Sequence, residues 1–158
     1  MLAIRLVVDP VEADVLALPV RRVAPEAEEG SKAILAPIVG VPEAVTDEAG
    51  ALLPLLDRAG EAGNVRLQLR PSGAPTRLLL FGVGDGDEPG WRAAGAGLAR
   101  SINDENSITI VMPTDVEPAA VRGLAEGLWL ASYRFRMSGE PATDQGPAEV
   151  RVVVDDPA

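Results

Sequence analysis

Hydrophobic positions along the chain follow two different spacings, which separate predicted strands from predicted helices. Short apolar runs rich in branched residues predict buried strands, while strict alternation, as in VRLQLR at Val65–Arg70, predicts a strand with one buried face. A further apolar run, Ala33–Val41, contains Pro37, which places it at an edge or a bend. The six predicted strands are Leu2–Val8, Asp14–Val20, Val65–Arg70, Arg77–Val83, Ser107–Met112 and Val150–Val154.

Three segments are predicted to be helices, two of them because their apolar residues repeat every three and four positions. The first covers Ala49–Arg58, with Thr46 and Asp47 as candidate caps and with a regular part that begins near Ala51 because Pro54 suits only a first turn. The second, Trp91–Ile102, contains the row AGAG, which predicts a thin helix packed closely on the sheet. The third runs from a capping box at Thr114–Glu117 to about residue 136.

Strands and helices alternate along the chain, which indicates an α/β fold with a mixed sheet of about six strands. Residues 1–158 show no internal repeat and no linker, so we expect a single domain. Apolar residues make up 47% of the chain and aromatic residues only 3%. The core is therefore expected to consist mainly of Leu, Val, Ile and Ala.

The composition narrows the chemistry that this chain can perform. It contains no cysteine and no histidine, which excludes disulfides, thiolate or histidine zinc sites, and Ser-His or Cys-His catalysis. The formal net charge of -10 argues against a general nucleic-acid binder, which needs a basic surface.

The hydropathy pattern predicts no association with a membrane. No apolar run approaches the roughly 20 residues that a helix needs to span a bilayer. The N-terminal apolar run is too short for a signal peptide and is followed by acids. The expected location is the cytoplasm.

A glycine-rich turn follows the predicted strand Arg77–Val83. Its glycines, Gly82, Gly84 and Gly86, could form a phosphate-binding loop or only a sharp turn between a strand and a helix. The dinucleotide fingerprint needs Gly-x-Gly-x-x-Gly, but Asp87 stands where its third glycine belongs. The structural turn is therefore the favoured interpretation, and the three glycines remain candidate cofactor-binding residues.

The same turn carries three acidic residues, Asp85, Asp87 and Glu88. Carboxylates would repel a pyrophosphate, but they suit the positive end of a helix dipole. They could also hold a divalent cation, although their spacing does not match an EF-hand. A structural role is the favoured interpretation here too, with a metal site as the alternative.

Three other groups of residues could carry chemistry, and each has an ordinary structural explanation. Carboxylates near the N-terminus could be catalytic, but turns and caps use the same residues. Two aromatic residues one helical turn apart could bind a ligand or simply pack. Two arginines near a helix end suit the dipole or an acidic partner. These groups are, in turn, Asp9, Glu12 and Asp14; Trp129 and Tyr133; and Arg134 and Arg136.

Two segments together resemble a known family. LLLFGVGDGDEPGWRAAGAGLARSI, followed by AEGLWLASYRFRMSG, is similar to the N-terminal domain of leucyl (cytosol) aminopeptidases. In that family a strand ends in a Gly-x-Gly turn, and a later helix carries Glu-Gly and Tyr-Arg-Phe. Glu126-Gly127 and Tyr133-Arg134-Phe135 match this helix. The order of the earlier elements also fits, so the resemblance covers nearly the whole chain.

The resemblance implies a macro-like fold with three layers, α/β/α, around a mixed and mostly parallel sheet. The family's catalytic residues lie in a C-terminal domain, where Asp, Glu and Lys hold two divalent metals, Zn or Mn. The diagnostic segment Asn-Thr-Asp-(Ala)-Glu-Gly-Arg is absent from this chain, so no catalytic residue can be assigned. The chain ends about where the linker to that domain is expected.

By this resemblance, the chain is expected to be inert alone. It would help to build a homo-oligomer, a hexamer in the family, and to shape access to the active site, with the C-terminal catalytic domain as its partner. Two alternatives remain. One is a macro-like module that binds ADP-ribose or a nucleotide, and the other is a carboxylate-only metal enzyme using Asp85, Asp87 and Glu88. Some bacterial relatives bind DNA, but the acidic charge argues against this here.

Overall fold

A computed structural model describes residues 3–7, 15–22, 33–38, 40–56, 58–71, 73, 76–101, 107–137 and 149–153. Strands and helices alternate along the chain, and a short 3-10 helix, Leu53–Leu55, follows the first α-helix. In chain order the elements are β1 Ala3–Val7, β2 Val15–Arg22, β3 Ala33–Leu35, α1 Glu43–Leu52, β4 Val65–Leu69, β5 Arg77–Gly82, α2 Glu88–Ser101, β6 Ser107–Val111, α3 Pro118–Met137 and β7 Glu149–Val153.

The described strands form one mixed sheet, which confirms the predicted fold class. Six strands follow the order β1-β7-β6-β2-β5-β4, and the short β3 pairs with β2. The neighbouring pairs β1-β7, β7-β6, β6-β2 and β2-β5 are parallel, while β4 is antiparallel to β5 and β3 is antiparallel to β2. The sheet is therefore mostly parallel, with seven strands where the sequence predicts about six.

Two hydrophobic cores lie on opposite faces of the sheet. Alternate residues of β5 supply both cores: Phe81 packs on the side of α2 and α3, and Leu80 packs on the side of α1. Phe81 meets Trp91 of α2 edge to face, with ring centroids 5.9 Å apart. This is the arrangement that RLLLFGV predicts, because a strand with no polar face must be covered on both sides.

Strand β2 contains a proline although it lies inside the sheet. Pro19 has no N–H group, which would normally interrupt a ladder of hydrogen bonds. On the side away from β5, β2 pairs with β6 at Leu16 and Ala17 and with β3 from Val20 onward. Pro19 lies between these two pairings, and its carbonyl accepts a hydrogen bond from Ala36 N. The N–H group that Pro19 lacks would therefore lie between the residues that pair with β6 and those that pair with β3, so no ladder is interrupted.

The glycines of α2 and α3 bring the two helices into backbone contact. A Cβ atom on Gly127 would lie 2.0 Å from the carbonyl oxygen of Arg92, and one on Gly95 would lie 2.4 Å from that of Leu124. The sequence predicts that the AGAG row packs closely on the sheet. This holds in part: a Cβ atom on Gly97 would lie 2.4 Å from the carbonyl oxygen of Gly63, which is hydrogen-bonded to β5, but the close approach of Gly95 is to α3.

Two predicted helix starts differ from those observed. Helix α1 begins at Glu43 rather than near Ala49, and the Thr46 hydroxyl donates to Glu43 O instead of capping the helix. It ends at Leu52 because the following 3-10 turn contains Pro54, which cannot continue the α-helical hydrogen bonds. Helix α3 begins at Pro118, a favoured first-turn residue, so Thr114–Glu117 precede the helix.

The alternating strand β4 has its apolar residues exposed, where the pattern predicts a buried face. Val65 packs against the core beneath α2, but the side chains of Leu67 and Leu69 are 56% and 60% exposed. Within the described sheet β4 is an end strand, with β5 as its neighbour. The alternation correctly predicts the strand, but these two leucines extend beyond the core that covers Val65.

The contact between α2 and α3 can be tested with a pair of glycine substitutions. Gly127→Ala is expected to lower the free energy of unfolding by about 1–3 kcal/mol, because the new methyl group must displace backbone. Gly50→Ala in α1, where a Cβ would meet no atom within 4 Å, is expected to raise it by about 0.5–1 kcal/mol. Urea denaturation measures both, and equal effects would contradict the close contact.

Candidate functional site

The carboxyl ends of β2, β5 and β6 meet at one edge of the sheet. These strands are parallel, so the residues that follow them lie close together, at the edge where open α/β sheets bind ligands. Residues 83–87 follow β5, and residues 112–117 follow β6. The predicted cofactor and metal candidates lie in the first of these two turns or directly beside it, at Gly82 and Glu88.

The backbone amides of the glycine turn are already used by the protein. Gly82 N donates to Asn64 O at 2.8 Å, Gly84 N to Gly60 O at 2.9 Å, and Gly86 N to Val83 O at 3.1 Å. A phosphate cradle needs such N–H groups to point at the ligand. In this conformation the three candidate glycines instead join β5 to the segment before β4 and close their own turn.

Two of these glycines adopt a conformation that other residues avoid. Gly84 and Gly86 have φ angles of +62° and +83°, so a side chain at either position would strain the backbone. Gly82 is constrained differently, because a Cβ there would lie 2.0 Å from Glu61 O. Turn geometry and close packing therefore account for all three glycines without a ligand.

Each acid of the turn has a protein partner. Asp87 caps α2: its Oδ1 accepts from Gly90 N at 2.9 Å, and its carbonyl accepts from Trp91 N at 3.0 Å. Both carboxylate oxygens of Asp85 accept from the Arg22 guanidinium at 3.1 Å.

Glu88 pairs with a residue one turn along α2. It accepts a 2.7 Å hydrogen bond from the Arg92 guanidinium, which also contacts Glu126 of α3. Asp85, Asp87 and Glu88 are therefore close in sequence, but each forms a different contact. They do not converge on one point, which a metal site would require.

The described residues do not assemble a donor set for a metal ion. Among them, no three acidic, histidine or cysteine residues lie close enough together to hold one. The two divalent metals that the resemblance implies therefore do not fit this part of the chain, and no hydrolytic step can be derived from its residues. The candidates Asp9, Glu12 and Asp14 lie outside the described residues.

The carboxyl edge also holds an ion pair that joins residues 94 positions apart in sequence. The Arg21 guanidinium donates to both carboxylate oxygens of Asp115, at 2.9 and 2.6 Å. These hydrogen bonds are the main reason that the pKa of Asp115 lies below its ordinary value, since they outweigh the opposing effect of burial, and the positive charge of Arg21 lowers the pKa further by a smaller amount. The Arg21 Nε is buried and has no hydrogen-bond partner at this edge.

Sequence reasoning does not find this ion pair. The predicted strand ends at Val20, so Arg21 falls outside it, and Asp115 is assigned to a capping box, whereas β2 extends through Arg22 and Asp115 lies before α3. A signal does exist, since Arg21 and Asp115 each follow an apolar run that is predicted to be a strand. The partner of each charge nevertheless depends on the order of strands in the sheet, which local patterns do not give.

The aromatic candidate of α3 is exposed. The side chain of Trp129 is 62% exposed, and its neighbour Leu130 is similarly exposed, while Leu124 and Leu128 on the opposite side of the helix are buried. Trp129 is therefore not a core residue. Tyr133, Arg134 and Arg136 lie in the last turns of α3, but their side chains fall outside the described part of the structure.

Comparison with known proteins identifies the family. The cytosol aminopeptidase family, N-terminal domain, matches residues 26–137, which is well over half of the chain. This chain belongs to the cytosol aminopeptidase family, as its N-terminal domain. The match begins before β3 and ends with the last residue of α3, so it contains the glycine turn and the α2–α3 pair. No curated protein matches the sequence.

A solved structure shares the fold at low sequence identity. It is described as "Bottromycin maturation enzyme BotP in complex with Mn", and it matches with a TM-score of 0.51 and 21% identity. The match covers 92% of this cytosol aminopeptidase N-terminal domain but only 27% of the other chain. The present chain thus spans about a quarter of that protein's length. Among the helices described here, none is long and apolar enough to cross a membrane.

The capping role of Asp87 can be tested by substitution. Asp87→Ala is expected to lower the free energy of unfolding by about 1 kcal/mol, because Gly90 N loses its acceptor, whereas Asp87→Ser retains a capping oxygen and is expected to cost less. Asp85→Ala is a matched control, since an exposed ion pair contributes about 0.2–1 kcal/mol at most. Urea denaturation would contradict the assignment if Asp87→Ala and Asp87→Ser were equally destabilising.

The Arg21–Asp115 pair predicts a specific pH dependence. Because the pKa of Asp115 is lower in the folded chain than in the unfolded chain, its stabilising effect is complete above about pH 4 and disappears as the pH falls through the folded value. Asp115 is about half exposed, so the expected contribution is about 0.2–1 kcal/mol. Unfolding of the wild type and Asp115→Asn between pH 7 and about pH 2 should show the difference between them shrinking only below about pH 4.

Arg21→Gln provides the control for this measurement. It should remove the same pH-dependent difference, and combining it with Asp115→Asn should produce no further loss. A difference that stays constant down to about pH 2 would show that Asp115 is not stabilised as an anion by Arg21.

Proposed function

We propose that this chain is the non-catalytic N-terminal domain of a metal-dependent leucyl aminopeptidase. In this role it contributes to the assembly of an oligomer, a hexamer by analogy with the family, and to the shape of the active-site entrance. The observation that carries the proposal is the family match over residues 26–137. A cytoplasmic setting forms part of the same proposal and is supported by the family's name.

The carboxyl edge of the sheet supports a structural role for this domain. The N–H groups of Gly82, Gly84 and Gly86 donate to protein carbonyls, and Asp85, Asp87 and Glu88 each have a protein partner. Because these particular groups are used within the protein, the glycine turn has little capacity left to bind substrate or metal. The reacting groups are therefore expected to come from a C-terminal catalytic domain of the same protein.

Two divalent metals, Zn or Mn, are proposed for that catalytic domain. The structural neighbour is described as a complex with Mn, which supports metal dependence in proteins that share this fold. Because the match covers 27% of the neighbour, most of that protein lies outside the region equivalent to this chain. This supports the expectation that the metal site belongs to a separate part of the polypeptide.

The outer side of α3 offers a surface for the catalytic domain. Trp129 and Leu130 adjoin each other there and are both more than half exposed. Exposed aromatic and aliphatic side chains in one patch are typical of contacts between domains or subunits. Leu124 and Leu128 fix the other side of the helix to the sheet, so the tryptophan is presented from a rigid support.

The macro-like ligand-binding alternative has weaker support at this edge. It would need the glycine turn to bind the phosphates of ADP-ribose, but the amides of Gly82, Gly84 and Gly86 are occupied. The buried Arg21 Nε is an available donor, but a single donor does not make a diphosphate site. Calorimetry with ADP-ribose tests this alternative, and saturable binding that Gly86→Val removes would favour it over an assembly role.

If the reacting groups lie in a C-terminal catalytic domain, this chain alone is expected to have no peptidase activity. Pure protein supplied with Mn²⁺ or Zn²⁺ is expected to release no product from a leucyl anilide, because the described residues hold no metal centre. Turnover that chelation abolishes, and that Asp85→Ala or Glu88→Ala weakens, would refute the proposal. The coding sequence after Ala158 is a second measurement, expected to encode Asp, Glu and Lys residues of a two-metal centre.

A further inference from the structure

Strand β4 presents an exposed edge with an unusual combination of features. Within the described sheet its neighbour is β5, so its other side is the edge of the sheet. Leu67 and Leu69 expose more than half of their side chains beside that edge. Natural proteins usually protect such an edge, because a row of free N–H and C=O groups next to apolar side chains can pair with another strand.

The hydrogen bonds at the two ends of β4 show which residues face the open edge. Gly82 N donates to Asn64 O, and Arg70 N donates to Thr76 O, so positions 64 and 70 face β5. Backbone direction alternates along an antiparallel strand, so the N–H and C=O groups of Val65, Leu67 and Leu69 point away from β5. The Leu69 carbonyl already accepts a 3.1 Å hydrogen bond from the Gln68 side chain, and its second lone pair is the one that a neighbouring strand would use.

We propose that β4 pairs with β4 of a second copy of this chain, antiparallel about a two-fold axis at Leu67. This inference rests on the assembly role proposed above and deepens it, because it names the surface and the partner. The axis places Leu67 opposite the partner's Leu67, with their outward N–H and C=O groups hydrogen-bonded to each other. The two sheets then become one continuous sheet across the dimer.

The sequence of β4 is complementary to itself in this register. Val65 lies opposite the partner's Leu69, which makes a continuous row of apolar side chains on one face. On the other face, Arg66 lies opposite the partner's Gln68, whose amide oxygen can accept from a guanidinium. Opposed side chains of this kind stabilise a pair of strands, whereas like charges directly opposite each other destabilise it.

The neighbouring registers are disfavoured. Pairing must shift by two residues to keep the open-edge groups facing each other. A shift in one direction places Arg66 on the axis, opposite the partner's Arg66. A shift in the other direction places Val65 opposite the partner's Pro71, which has no N–H group to donate. The like charges of the first shift and the proline of the second thus favour the register centred on Leu67.

The geometry also limits the assembly to a dimer through this surface. A two-fold contact uses the same strand of both copies, so no β4 edge remains free after pairing. A catalytic domain covering the same edge would be a different occupant, but the self-complementary order of apolar and charged residues favours a second copy. This surface is separate from the exposed Trp129, which lies on α3.

Substitutions that introduce opposite charges at position 67 in two separate variants test this register. The wild-type chain is expected to sediment as a dimer in a concentration-dependent equilibrium. Leu67→Lys alone and Leu67→Glu alone should each raise the dimer dissociation constant by at least about tenfold, since each places like charges on the axis. An equimolar mixture of the two variants should restore a dimer, because Lys then faces Glu. Restoration on mixing requires that position 67 faces itself.

The control is Leu55→Lys, which introduces the same charge at another exposed leucine, in the 3-10 helix after α1. It should leave the dissociation constant unchanged. Circular dichroism should show all variants folded, since both leucines are more than half exposed.

Three results would overturn the inference, and they separate it from the proposed function. If both Leu67 variants dimerise like the wild type, another surface carries assembly, so the β4 contact is wrong while the assembly role stands. If the variants are monomeric but their mixture does not dimerise, position 67 does not face itself and the register is wrong. If the wild type stays monomeric at every concentration, the β4 contact is wrong, and the leucyl anilide assay and the coding sequence still decide the rest of the proposed function.

Discussion

Backbone hydrogen bonds around the turn after β5 hold the carboxyl edge of this domain together. The turn donates from Gly84 to Gly60 and from Val83 to Val20, and it accepts from Arg22 N. It thereby ties β5 to β2 on one side and to the segment before β4 on the other. Only residues without a Cβ allow the chains to approach so closely and turn so sharply at these points. This junction accounts for the positions of the glycines.

The parts of the fold that could be predicted from sequence are those determined by local patterns. RLLLFGV has no polar face and is buried on both sides as β5, and the small residues of α2 do mark close packing, although Gly95 approaches α3 rather than the sheet. The resemblance carried by the glycine turn and by Glu126-Gly127 is confirmed by the family match. Each of these signals is read from short runs of adjacent residues, which is why a single sequence was sufficient.

The parts that could not be predicted depend on contacts between distant segments. Asp115 fits a capping box as well as an ion pair, and only the position of Arg21 decides between them. The apolar face of β4 is evident from its alternation, but its exposure depends on how far the neighbouring core extends along the strand. Local periodicity reports which residues share a face, and it does not report what covers that face.

Paired polar groups and exposed apolar side chains lie in different parts of this domain, and this separation bears on function. At the carboxyl edge, charges and amides meet one another, and the acids that could have bound a metal instead cap a helix or pair with arginines. At the periphery, apolar side chains remain exposed on α3 and along β4. Burying such side chains is favourable for any partner that fits them, at roughly 25 cal/mol per Å² of apolar surface. A domain organised in this way is suited to binding other protein surfaces, which is the capacity that an assembly role requires.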